Sequence, residues 1–212
     1  LWPWFDGHMA DRRTTVPRPP TTSTFDAAGW GDASFSGRTH EAVLFDGTDL
    51  ADVLERGASF VDCTFREVRF GGSTHIDAAF TNCTFVECSF FDTRFTRCKL
   101  VGSAFIGCTF AALVVEGGDW SIVAMPGADL RKATFTEVRM READLVGARF
   151  DEAILRDVDL SGAVLHRTSF AGADLRGSDL STLDPINADV GGARIDYEQA
   201  TVIAEAVGFR VG

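Results

Sequence analysis

Glu55 and His75 are the residues of this 212-residue chain whose types come nearest to catalytic chemistry. A carboxylate and an imidazole, if the fold brings them together, make a general acid–base pair. The five cysteines, Cys63, Cys83, Cys88, Cys98 and Cys108, form a second group. Their count is odd and no Cys-x-x-Cys pair occurs, so they read as small buried hydrophobes in a reducing cytoplasm, with neither metal nor disulfide chemistry expected. The third group is the carboxylates. Thirty-one Asp and Glu against 20 Lys and Arg leave a net charge of −11. That balance argues against binding nucleic acid or an acidic membrane, both of which need a basic footprint, and favours a basic partner. The acid is uneven, with 12 acidic and five basic residues between Glu142 and Glu198.

What must position these groups is a period of five. Cut into fives from Ala128, the chain reads ADLRK, ATFTE, VRMRE, ADLVG, ARFDE, AILRD, VDLSG, AVLHR, TSFAG, ADLRG, SDL. Each unit offers a small residue, a variable one that is often Asp, a large apolar one and two mostly polar ones. Neither the 3.6 period of a helix nor the 2 of a strand fits. In one register from Phe25 to Ile195, 31 of 35 central sites are apolar and 15 of the 18 Phe fall on that phase. The exceptions are His40, Glu55, His75 and Pro185. All five cysteines occupy the small site, two residues before the central one. A unit this short cannot bury its apolar residue alone, whereas stacked coils bury all of them in one column.

The repeat resembles that of the pentapeptide-repeat family, whose motif is Ala-Asp/Asn-Leu-x-x with Phe common at the centre. The resemblance implies an all-β solenoid, a right-handed quadrilateral β-helix with four pentapeptides per coil, and here a short C-terminal α-helix. About eight and a half coils at ~4.8 Å each would give a rod roughly 40 Å long. One domain is expected: tag residue and a Pro/Thr-rich disordered arm over 1–24, the β-helix over 25–195, and a helix and tail over 196–212. Gly7-His8-Met9 reads as a vector junction, so Leu1 to His8 is taken as expression-tag residue. Asp196 followed by Gln199 predicts a capped helix start, and Ala200, Ile203, Ala204 and Val207 recur at helical spacing before Gly208 and Phe209.

On this register Glu55 and His75 fall one coil apart in the same column. They make either a buried carboxylate–imidazole pair or, as expected here, a local distortion that turns Leu54 and Ile76 inward and leaves the polar groups in water. No nucleophile is expected to converge on them, so no enzyme and no cofactor is anticipated.

Within the family the closest resemblance is to the fluoroquinolone-resistance group typified by MfpA and Qnr. It covers 25–212: a loop-free acidic rod, a closing Gly-Ala-Arg-Ile-Asp (Gly192 to Asp196), and a short helix with a Gly-Phe-Arg-Val-Gly tail. That group implies a homodimer joined through the C-terminal helix, here Ala200, Ile203, Ala204, Val207 and Phe209, which imitates duplex DNA and occupies DNA gyrase. The contacts are expected among Asp119, Asp129, Glu142, Asp144, Asp159, Asp174, Asp179 and Asp189, with the charge surrounding the rod. A scaffold or regulatory module with a non-gyrase protein partner is the alternative.

Overall fold

The computed structural model describes residues 19–25 and 35–211. Trp30 and the expected tag, Leu1 to His8, lie outside the described residues. Parallel pairing joins residue i to i+20 along the chain, from Ser23↔Val43 to Asp174↔Arg194. Twenty residues therefore make one coil, and four pentapeptides supply its four sides. The first rung is Ser23–Thr24, so the last residues of the expected arm already pair with the second coil.

The four faces are named here by their core columns, in chain order. Face 1 carries Phe45, Phe65, Phe85 and Leu145; face 2 carries Phe70, Phe90 and Phe150. Face 3 carries Glu55, His75, Phe95 and Phe135; face 4 carries Phe60, Phe80, Trp120 and Met140. Three-residue strands alternate out, in, out, so the central residue enters the core while its neighbours face outward. Phe rings repeat up each column as stacked pairs, for example Phe45 and Phe65 at 4.7 Å and Phe65 and Phe85 at 4.8 Å. Burial of each ring contributes about 1.5–3 kcal/mol.

The small site also points inward, and its polar occupants tie neighbouring coils. Thr93, Ser103, Thr168 and Ser178 hydroxyls donate to the carbonyls of Phe70, Phe80, Leu145 and Leu155 at 2.8–2.9 Å. The cysteine thiols repeat the same i to i−23 contact, as from Cys83 to Phe60 at 3.4 Å. Burial pushes the Cys98 thiol up to about 12.

Corners turn two residues after each core residue, where φ is positive from Gly37 to Gly177 at every fifth position. Among the described residues, seventeen of the left-handed positions are not glycine. That conformation is costly for an L-residue, and only the closed coil-to-coil hydrogen bonding imposes it so often. At Gly118 a side chain is excluded outright, because a Cβ would lie 2.1 Å from the Cys98 carbonyl oxygen. The rule lapses at Thr182 and Asn187, on either side of Pro185. There the Arg167 amide donates to Asn187 at 2.7 Å, one residue beyond the Gly147 to His166 pattern of the coil before, and Ile186 is left 82% exposed. Proline fixes its own φ and restricts the residue before it, Asp184, so the chain bulges.

The helix α1 (Tyr197–Ala206) begins as expected, with Asp196 and Gln199 forming a capping box. It closes the rod through one face: buried Gln199 donates from Nε2 to the Leu175 and Ser178 carbonyls at 2.6 and 2.7 Å, and Ile203 packs on the core.

Candidate functional site: one acidic side of the rod

The acid–base pair corrects the expectation. Glu55 and His75 are buried, at 1% and 3% exposure, while Leu54 is 55% exposed. His75 Nδ1 lies 3.3 Å from Glu55 Oε2, and His75 Nε2 lies 3.0 Å from the Ser73 hydroxyl. The Ala58 amide donates to the other Glu55 oxygen. A Ser–His–Glu chain has thus converged, contrary to the expectation that no nucleophile would. Strict alternation explains it: turning the two polar groups outward would have put both flanking residues inside. Phe95 stacks on His75 at 5.1 Å and Phe70 and Phe80 meet it edge-on, so the chain is sealed from substrate. Its chemistry is internal: an Nδ1–H donated to Glu55 leaves Nε2 to accept from Ser73, and every polar atom is partnered. Among the described residues, no group of three or more His, Cys, Asp or Glu is placed to hold a metal.

The repeat's aspartates have a structural task that the sequence pattern hid. Sitting just before a core residue, each accepts the amide of the residue two positions on: Asp119 from Ser121 at 3.0 Å, Asp144 from Val146 at 3.2 Å, Asp179 from Ser181 at 2.9 Å, Asp189 from Gly191 at 3.0 Å. This is the Asx turn, and it explains part of the acidity without any partner. One carboxylate oxygen closes the corner. The other remains available outside.

The expected contact residues do not form one class. Asp174 is 8% exposed, clamped by Arg176 at 2.8 Å and Arg156 at 2.9 Å, which hold its carboxyl well below the usual range; it cannot meet a partner. Asp129 is held below its ordinary value by the Arg131 guanidinium. For Asp159 burial acts upward, but the Ser161 hydroxyl and Arg141 outweigh it and leave the carboxyl lowered. Asp119 faces Arg139 at 3.9 Å. Glu142, Asp144, Asp179 and Asp189 have no ion pair among the described residues.

Sorted by face, the charge between residues 137 and 187 concentrates on one side, while unpaired Asp189, just beyond that span, lies on face 2, so the expectation that charge surrounds the rod holds in part. Between residues 137 and 187, faces 4 and 1 with their leading corners carry Glu137, Glu142, Asp144, Asp157, Asp159, Asp179 and Asp184 against Arg139 and Arg141. Among the described residues, only Asp159 of these seven holds a cation. Over the same span faces 2 and 3 carry Asp151, Glu152 and Asp174 against Arg149, Arg156, Arg167 and Arg176. All three of those acids are paired. The uncompensated acids flank the ridge at Glu142, where face 4 turns into face 1. Beside them lie exposed Val164 and Ile186, at 41% and 82%. The expected set did not include Glu137, Asp157 and Asp184; Glu137 and Asp157 sit at corners rather than just before a core residue, where the repeat's Asp stands.

The expected dimer residues are also divided. Ile203 is spent on the rod, whereas Ala200, Val207 and Phe209 are exposed. Tyr197, at 95%, adds to that exposed surface.

Residues 124–151 and 143–181 match the family described as Pentapeptide repeats (8 copies), and residues 30–110 match the SV2A/B/C luminal domain family. No curated protein matches the chain. Among solved structures, the chain is similar to QnrB1, a plasmid-mediated fluoroquinolone resistance protein, at 20% identity over 81% of this chain and 100% of that one, with a TM-score of 0.46. HetL of Nostoc sp. strain PCC 7120, involved in heterocyst differentiation regulation, matches at 14% identity, 76% and 88% coverage and a TM-score of 0.35. A pentapeptide repeat protein from the Arabidopsis thaliana thylakoid lumen matches at 20% identity, 81% and 88% coverage and 0.25.

Proposed function

Since the chain is a pentapeptide-repeat protein whose last coils carry uncompensated acid on one side, we propose that it acts as a DNA mimic that binds DNA gyrase and protects or inhibits it. The observation that carries this reading is charge density. From Glu142 to Glu198 the net charge is −7 over 57 residues. At twenty residues per coil that is about three coils, or ~14 Å of rod. Duplex DNA presents about eight charges in the same length, at one per ~1.7 Å. A DNA-binding surface touches a duplex from one side at a time, so a one-sided rod suffices, and the ridge at Glu142 is the side to present. The resemblance to the fluoroquinolone-resistance group names the enzyme. Of the remaining parts of the reading, a dimer through the exposed apolar residues of the helix and tail rests on that resemblance, a cytoplasmic location on the odd, unpaired cysteines, and the absence of catalysis by this chain on the sealing of Glu55 and His75 in the core.

The test is supercoiling by purified gyrase with increasing protein, with and without a fluoroquinolone. Wild type should inhibit or protect, and the effect should fall about 10²-fold between about 50 and 200 mM salt if four acids act like four phosphates. Combining Glu142→Gln, Asp144→Asn, Asp179→Asn and Asp184→Asn should abolish it, since the Asn and Gln replacements remove charge while Asn can still cap the corner. Neutralising Asp151 and Glu152 should not. A flat response to wild type sinks the gyrase reading and puts a non-gyrase protein partner first.

A further inference from the structure

Face 1 departs from the other faces where the last coils meet the Glu142 ridge. Of its ten outward strand positions between residues 104 and 186, seven are apolar, two are Asp144 and Asp184, one is His166, and none is Lys or Arg. Over the same coils each of the other three faces carries two or three Arg or Lys at those positions. The corners on either side of face 1 add only Glu142 and Arg167, so the strip with both corners counted has a net charge of −2. Asp184 accepts from the Ile186 amide and the Asn187 side chain, and Asp144 from the Val146 amide; these neutral donors leave both charges uncompensated.

The apolar side chains stand in the open among these acids. Ile122 and Val164 are 40% and 41% exposed, and Ile186, thrown outward by the bulge at Pro185, is 82% exposed. Pro126 is exposed as well, with Ile106 and Val146 half-buried on either side of it in the same column. A run of this kind is more than the scattered single apolar residues of an ordinary surface. Valine and isoleucine have little rotamer freedom to lose on docking.

We propose that face 1 docks a basic amphipathic α-helix of a protein partner, lying along the rod. The inference rests on the acidic side being the binding side, as in the proposed function, but not on gyrase as the owner of the helix. Charge complementarity and spacing together select the occupant. Asp144, Val164 and Asp184 follow one another up one column at ~4.8 Å per coil, which places the two acids about 10 Å apart with an apolar residue between them. A helix presents residues i, i+3 or i+4, and i+7 on one face at ~5.4 Å per turn, with ~10.5 Å from i to i+7. An extended segment repeats on one face every ~6.7 Å and matches neither interval. Lys or Arg at i and i+7 would meet Asp144 and Asp184 while an apolar residue between them covers Val164, and further apolar residues reach Ile122 and Ile186. Phosphates make no such apolar contacts, so on this face the rod does more than imitate DNA.

Fluorescence anisotropy of a rhodamine-labelled helical peptide of Lys, Leu and Ala, with lysines seven apart and leucines between them, tests the assignment. Wild type should bind it, and should bind a scrambled peptide of the same composition at least tenfold more weakly. Val164→Ser/Ile186→Ser, which leaves every charge in place, should lose at least about fivefold in affinity. The control Leu54→Ser/Ile154→Ser, which removes the same kind of side chain from face 3, should stay within about twofold of wild type. Absence of binding by wild type, equal binding of the two peptides, or equal loss in the two variants overturns the proposal. The supercoiling assay on wild type separates the two readings. Peptide binding that depends on face 1, in a protein without effect on gyrase, sinks the gyrase reading and leaves the helix site standing; a gyrase effect in a protein that does not bind the peptide does the reverse.

Discussion

The sealed Glu55–His75–Ser73 chain makes a sharp energetic prediction. Replacing His75 with Phe extends the aromatic column that Phe95 already begins, so a packing view alone expects a gain. The pairing geometry expects the opposite, because Glu55, at 1% exposure, would lose its imidazole and keep only the Ala58 amide. Removing one partner of a buried pair costs about 3–5 kcal/mol, whereas replacing both with apolar residues of similar volume is neutral or stabilising by about 1–4 kcal/mol. Glu55→Leu together with His75→Phe should therefore equal or exceed wild type, since Leu155 and Leu175 show that leucine fits this column. For a chain this size, 1 kcal/mol moves Tm by about 2–4 °C. The single His75→Phe change should lower Tm by roughly 6–20 °C by the same conversion, with the double change restoring it. Thermal unfolding followed by circular dichroism measures the order of the three proteins. Hydrogen exchange at the Ala58 amide reports the local effect, since that proton is donated to Glu55 and should exchange faster in the single variant. If His75→Phe is as stable as wild type, the carboxylate is not held by the imidazole and the account of the core is wrong.

Three further changes test other joints of the rod. Asp174→Asn removes the charge clamped by Arg156 and Arg176 and should cost about 1.5–3 kcal/mol at neutral pH. Because the folded-state value of Asp174 is depressed, that stability is present above the ordinary carboxylate value and is lost as pH falls below it, so denaturation curves of wild type and variant should converge only below about pH 4. Gln199→Ala uncaps the Leu175 and Ser178 carbonyls and should destabilise the last coil by about 1–3 kcal/mol, seen as faster amide exchange in residues 175–195 with the earlier coils unchanged; uniform loss of protection would contradict a rod that frays from its end. Truncation after Asp196 removes both the Gln199–Ile203 cap and the exposed Val207 and Phe209, and should give aggregating or inactive protein. Phe209→Ser, which leaves the cap in place, should give a soluble monomer by light scattering if the exposed residues join two copies; an active monomeric truncation would refute both roles.

The fold was legible from the sequence because one constraint is repeated without slippage: each fifth residue must enter a core only one side chain deep. The same strictness is why Glu55 and His75 had to go in, and the local distortion expected there ignored what alternation would cost at Leu54 and Ile76. The acidic surface was less legible because it answers to two demands at once. Asp before a core residue closes a corner through the amide two positions on, so Asp144 or Asp179 is explained by the turn before any partner is considered. What the turn does not explain is the missing cation. Asp151, Glu152 and Asp174 each form an ion pair, and among the described residues Glu142, Asp144, Asp157, Asp179 and Asp184 do not, although Arg and Lys are available one coil away on the other two faces. Stability is indifferent to such placement, since exposed pairs contribute about 0–1 kcal/mol. A surface that leaves most of its acids unpaired on one side and pairs most of them on the other differs in what it attracts, and that difference appears only when the chain is wound twenty residues to the turn.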